Sequence, residues 1–241
     1  ALKQTAQLTQ KNLVSFLEAR QVPFQRLLVV NAIRATGSVD LIQAIAQRSE
    51  VARIMADPTI TFAQPVEWGG VASGSRSAVE WGITMINADD VWGLGYTGQG
   101  VTVAGEDTGY EWSHPALKKK YRGYDAVLDT VDHNYNWHDA IHAPDPVNAD
   151  TINPCGYNSQ EPCDDRGHGT HTMGTMVGSD GDNQIGVAPD AQWCACRNME
   201  RNAGTPFTYL ECFEFFLAPT DLNNENPDPS KSPHVINNSW V

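Results

Sequence analysis

No apolar run in this 241-residue chain approaches the roughly 20 residues a membrane-crossing helix needs, so a helical membrane protein is excluded. The start, Ala1-Leu2-Lys3-Gln4, has no Met and no basic-then-apolar signal pattern; a processed or trimmed product is expected. There is no low-complexity tract. Basic residues are scarce, 16 Lys and Arg against 29 Asp and Glu, for a net charge of -13. Phosphate backbones demand a basic face, so nucleic acid is excluded as a partner. No two cysteines have the C-x-x-C spacing of common zinc sites.

The charge that is present is uneven. Residues 1–64 carry seven Lys/Arg and four Asp/Glu, a balance of +3; residues 65–241 carry nine and twenty-five, a balance of -16. Two charge regimes predict two domains, and opposite signs let them attract each other. The domains expected are 1–63 and 79–241. Residues 64–78, rich in Gly, Ser and Ala, form the linker between them and a place for proteolytic processing. All five cysteines lie in the acidic part. Cys155 and Cys163 bracket a short loop and can pair; Cys196 and Cys212 can form a second bridge; Cys194 is left over. Disulfides favour an oxidising, extracellular setting.

Apolar spacing predicts a helix over 2–19, an extended stretch over 22–30, a helix from Ser38 or Asp40 and a strand over 51–55. That is a small α+β unit. In the second part, 83–92 reads as helix and 101–105 as a buried strand running into Glu106-Asp107-Thr108-Gly109. A carboxylate at the end of a buried strand stands where open α/β sheets keep their ligands. Residues 110–165 are polar and turn-rich. His138 and His142 are four apart, a metal-compatible spacing on a helix, but their surroundings read as a surface loop. Next comes Asp164-Asp165-Arg166-Gly167-His168-Gly169-Thr170-His171, a histidine at the mouth of a helix rich in small residues. Strands follow at 192–197 and, buried, at 234–241, with a core helix over 209–217 between them. Strands alternating with helices predict an α/β fold with a parallel sheet.

Three segments occur in order: Val103-Ala104-Gly105-Glu106-Asp107-Thr108-Gly109, Gly167-His168-Gly169-Thr170-His171-Thr172-Met173-Gly174-Thr175 and Val235-Ile236-Asn237-Asn238-Ser239-Trp240. With them, residues 79–241 resemble the subtilisin-like serine proteases (subtilases), of the bacillopeptidase F type. The resemblance implies the N-terminal part of a subtilisin-like parallel-sheet domain, preceded by a small α+β (ferredoxin-like) propeptide domain that lacks its first strand. It implies that Asp107 orients His168, the general base, and that His171 is structural. Ser239 and Trp240 resemble the strand that binds substrate backbone and walls a specificity pocket. Gly204 falls in the opposing substrate strand.

The departures carry weight. No serine sits in the family's G-T-S context and no oxyanion asparagine is recognisable. The chain is therefore expected to stop before its nucleophile and to be inactive alone, with the remainder of the protease on another chain or removed. Val241 stands where glycine is usual. Glu106 precedes Asp107 where an apolar residue or Gln is commoner, and a buried second carboxylate can raise its neighbour's pKa. Ala116 stands where a calcium-binding aspartate is frequent, so calcium lacks its usual ligands and no cofactor is expected. The partners implied are a protein or peptide substrate and the chain's own propeptide, in a secreted zymogen. Two other readings stay open: a non-catalytic binding or inhibitory protein, and a metal hydrolase using Asp107, His168 and His171.

Overall fold

The computed structural model describes residues 1–61, 79–149 and 152–240. The expected linker over 64–78 and the unusual Val241 lie outside the described residues. In chain order the elements are α1 (Leu2–Thr9), α2 (Lys11–Glu18), β1 (Phe24–Leu27), β2 (Ala32–Ala35), α3 (Val39–Ala46) and β3 (Ile60–Thr61). Then come α4 (Trp81–Met85), α5 (Ala88–Gly93), β4 (Thr102–Asp107), β5 (Tyr124–Asp125), β6 (Thr130–Val131) and β7 (Trp137–Asp139). The last group is α6 (His168–Val177), β8 (Ser179–Asp180), β9 (Asn183–Gln184), β10 (Gln192–Arg197), β11 (Met199–Glu200), β12 (Ala203–Gly204), α7 (Pro206–Leu217) and β13 (Val235–Asn238).

The frame is a four-stranded, all-parallel sheet in the order β13-β4-β10-β7. Every residue of β4 is buried, as a central parallel strand covered on both faces must be. Alternation along β4 and β10 then sorts the core into two layers. Val103, Trp193 and Ala195 pack with Met173 and Val177 of α6. Ala104, Cys194 and Cys196 pack with Cys212, Phe215 and Phe216 of α7. By the same alternation Asp107 faces α6 while Glu106 faces α7. The sequence feature that brings α6 down onto β4 is Gly169: a Cβ there would lie 2.1 Å from the Gly109 carbonyl oxygen and 3.1 Å from the Asp107 Cβ. The parallel α/β sheet expected from the sequence is present.

Several local expectations are corrected. The 2–19 helix is two helices meeting at Gln10, whose buried amide donates to the Leu27 and Ala32 carbonyls and joins the helices to the hairpin. The extended stretch over 22–30 is only β1; the chain turns back at Asn31, with φ of 42°, into an antiparallel β2. Residues 51–55 form no strand, since among the described residues no strand pairs with them; strand structure appears instead at β3. The 83–92 helix is α4 and α5, broken at left-handed Asn87. The strand over 234–241 is β13, an edge strand whose Val235 and Asn238 are exposed, not a buried one. Ser38, not Asp40, caps α3, accepting the Leu41 N–H. The core helix begins earlier than expected, at Pro206, behind a Thr205–Thr208 capping box.

Candidate active site

Asp107 ends β4 with no exposed surface. Its Oδ1 accepts the Thr108 N–H at 2.7 Å, which fixes the carboxylate plane. His168 is the first residue of α6, and its Nδ1 lies 2.7 and 2.9 Å from the two Asp107 oxygens. The strand end and the helix start thus deliver the two side chains to each other across 61 residues of sequence. Hydrogen bonding to Asp107 raises the His168 pKa; burial opposes this, and the charges of Asp107 and Asp164 add to it.

Asp164, not among the residues singled out from the sequence, holds the helix mouth. One of its oxygens accepts the Arg166 and Gly167 N–H groups and the Thr108 hydroxyl; the other accepts the Thr170 N–H and hydroxyl. A carboxylate over the first N–H groups of a helix satisfies donors that have no helical partner and complements the helix dipole. Its sequence signal was an acidic residue just ahead of the helix. Gly167, left-handed with φ of 83°, lets the chain turn from that carboxylate into α6. His171 is exposed on α6, and no hydrogen bond from its side chain to Asp107 is present.

The expected substrate residues gather beside this pair. Asn198 follows β10, and its N–H donates to the Asp107 carbonyl at 3.0 Å. Gly204 on β12 packs so closely that a Cβ would meet Tyr209 at 2.6 Å and the Asn198 carbonyl at 2.8 Å. Tyr209, missed in the sequence as a packing aromatic, stacks on Trp240 with centroids 4.1 Å apart and planes at 16°. Trp240 donates its indole N–H to the Glu106 carbonyl at 3.2 Å, and Ser239 accepts from the Asn237 amide at 2.8 Å.

The N-terminal segment reaches the same place. β3 pairs antiparallel with β12, Ile60 opposite Gly204 and Thr61 opposite Ala203. Asp57 accepts the Phe207 N–H in the first turn of α7, where a helix dipole favours a carboxylate. Glu214 accepts the N–H groups of Leu28 and Val29 at 2.9 and 2.8 Å, and Thr59 donates to Asp145. One basic segment is therefore fastened to the acidic part by backbone pairing and by carboxylates on each side.

His142 lies in a loop, as expected, with a third of its side chain exposed, whereas His138 belongs to β7. Both direct Nε2 at a single oxygen of Glu211 on α7, at 2.9 and 2.7 Å, and the side chains of His138 and Glu211 are only 11% and 15% exposed. Among the described residues no group of three His, Cys, Asp or Glu side chains is arranged to hold a metal ion. The two disulfides are Cys155–Cys163 and Cys196–Cys212. Cys194 is a buried free thiol, pushed up to about 11 by burial, and so offers no thiolate nucleophile. No helix among the described residues is long and apolar enough to cross a membrane.

A model of the subtilase family matches residues 98–241. The chain is 36% identical over 253 residues to bacillopeptidase F of Bacillus subtilis (strain 168), an alignment covering all of this chain and 16% of that protein. It is 44% identical over 115 residues to the minor extracellular protease Vpr of the same organism, covering 46% of this chain and 12% of Vpr. It is 33% identical over 111 residues to the major intracellular serine protease, also of that organism, covering 46% of this chain and 27% of the relative. The chain thus spans well under half the length of the curated relatives it matches.

Proposed function

Because the chain belongs to the subtilase family, we propose that it is the N-terminal portion of a secreted serine endopeptidase precursor. The observation that carries this is the 2.7 Å contact between His168 Nδ1 and a fully buried Asp107. A buried carboxylate on Nδ1 fixes the ring orientation and the tautomer, and it stabilises the imidazolium that forms during catalysis. The proton-accepting atom is then Nε2. In this reading His168 takes the serine Oγ proton as Oγ bonds to the scissile carbonyl carbon. The same proton passes to the leaving amine nitrogen as the C–N bond breaks. A water then gives a proton to His168 as its oxygen bonds to the acyl carbon, the bond from that carbon to Oγ breaks, and the proton returns to Oγ as the acid is released.

Ser239, Trp240 and Gly204 serve the substrate: Gly204 through the backbone edge of β12, Trp240 as a pocket wall. The pairing of β3 with β12 supports an inhibitory role for residues 1–63, since a bound peptide adding a strand at an open edge makes the same hydrogen bonds. Processing within 64–78 would separate the two parts. Secretion is supported by the two disulfides.

No serine in a G-T-S context occurs in the chain, so the 241 residues alone lack the nucleophile and hydrolyse no peptide bond. A serine-directed phosphonate probe should leave the purified chain unlabelled, whereas an extended precursor carrying a downstream G-T-S segment should label and cleave. Peptide hydrolysis by the 241-residue chain, abolished by such a probe, would overturn this. The missing serine also keeps a second reading in play, a non-catalytic inhibitory protein. Residues 1–63 added to an active relative should inhibit under both readings, but only the protease reading expects the extended precursor to cleave.

A further inference from the structure

Glu106 is fully buried, immediately beside Asp107 in sequence but on the opposite face of β4. Its neighbours belong to the substrate side of the site. On β13, Asn238 lies opposite it in register, and the Asn238 amide nitrogen, turned toward the carboxyl, is 2.6 Å from Oε1. The Asn198 side-chain amide also faces the carboxyl. Glu106 Oε2 and both polar atoms of the Asn198 side chain are buried without a hydrogen bond to any other group. Leaving a buried polar atom unpaired costs about 1–3 kcal/mol, and three such atoms in one spot point to an unassigned proton. A proton on Oε2 makes that oxygen a donor and removes the cost of a buried, unpaired negative charge.

We infer that Glu106 is a positioning residue held as a neutral carboxylic acid, which clasps Asn198 on one side and Asn238 on the other and so sets the wall strand that carries Trp240. The clasp connects the backbone just beyond Asp107's partner strand, where Asn198 bonds the Asp107 carbonyl, to β13, where Trp240 bonds the Glu106 carbonyl. Ionisation removes the donor and places a second negative charge next to Asp107 in sequence. The groups facing Glu106 are few. On β10 its register partner is Cys196, which is disulfide-bonded and does not titrate. On α7 it is Tyr209, whose hydroxyl is pushed up to about 12 chiefly by burial, and across β4 it is Tyr110, whose hydroxyl burial also raises. On β4 itself it is Asp107. No cation appears among the interactions that shift it, and burial, opposed by Asn198 and reinforced by Asp107, raises its pKa to about 8. The clasp thus holds at neutral pH and opens under mildly alkaline conditions.

The meaning of the clasp for substrate rests on the protease reading, but its test does not require hydrolysis. Carboxyl-carbon NMR of the 241-residue chain, labelled at glutamate Cδ, should show Glu106 titrating near 8. The Trp240 indole N–H signal should move with the same midpoint. In Glu106→Gln, which retains an acceptor for Asn238 but carries no charge, the Trp240 movement should vanish. The Trp193 indole, bonded to the Leu117 carbonyl, should stay in place and report an intact fold. A Glu106 midpoint among those of exposed glutamates, or a Trp240 inflection that survives in Glu106→Gln, overturns the inference. Should the variant fail to fold, the carboxyl titration of the unaltered chain still decides. Loss of the protease reading alone would leave both titrations unchanged.

Discussion

Asp107 takes His168 by Nδ1, with both oxygens within 2.9 Å, whereas Glu211 takes His138 and His142 by Nε2, both on one oxygen. The chemistry of the two clusters is the same and the use of the ring is opposite. At Asp107 the carboxylate holds Nδ1 at a strand end, and Nε2 is the atom that moves the proton in the proposed mechanism. At Glu211 the far nitrogens are spent, and His142 is tied on its other side to Asn158. Basicity does not separate the clusters. His168 is raised, and His142 is raised further, to about 9, by hydrogen bonding to Glu211 against the cost of burial. A histidine that is already protonated at neutral pH accepts nothing. What distinguishes the two clusters is which nitrogen the carboxylate holds.

The comparison breaks most visibly in catalysis. In a precursor extended to include the nucleophile, Asp107→Asn should lower kcat/KM by about 10²-fold or more, the scale of lost general-base function. Glu211→Gln should leave kcat/KM unchanged. Equal losses in peptide hydrolysis would erase the distinction. The next effect is on stability. Glu211→Gln keeps an acceptor oxygen but removes the negative charge that two partly buried imidazoles face, and should cost on the order of 1–3 kcal/mol in urea unfolding at neutral pH. The sign with pH follows from linkage. His142, raised in the folded state, gives stability that is fully present below its ordinary 6.5 and is lost as pH rises through about 9. That loss should be present in the unaltered chain and flattened in Glu211→Gln. The smallest effect is the same slope from His168, also lost as pH rises above 6.5. His168→Gln should remove it, because the ring that binds the proton is gone.

The readable and unreadable parts of the molecule divide by distance in sequence. Asp107 and His168 were legible because each sits at a marked boundary, one at the end of a β-branched run and the other at the start of a small-residue helix. The disulfides were legible because their cysteines are 8 and 16 residues apart and little else is near to pair with them. The Glu211 brace was not legible, since its carboxylate lies about seventy residues from both histidines and on a helix whose apolar residues drew the eye. Residues 51–55 pair with no strand among the described residues, while Ile60 and Thr61 become a strand because the edge of β12 is there to receive them. Strand structure at such a place is a property of the pair, and one sequence window cannot contain it. Glu106 was legible as an oddity and gained its place only when alternation put it on the α7 face.

β13 has one further consequence, for handling the chain. It pairs with β4 on one side, and among the described residues no strand pairs with its other side. Its outer row of peptide groups is a template of fixed spacing, flanked by an exposed Val235. Concentrated solutions of this chain should therefore fail by strand-to-strand association at that seam, and a lysine or proline placed on its outer edge should be the change that keeps the protein in solution.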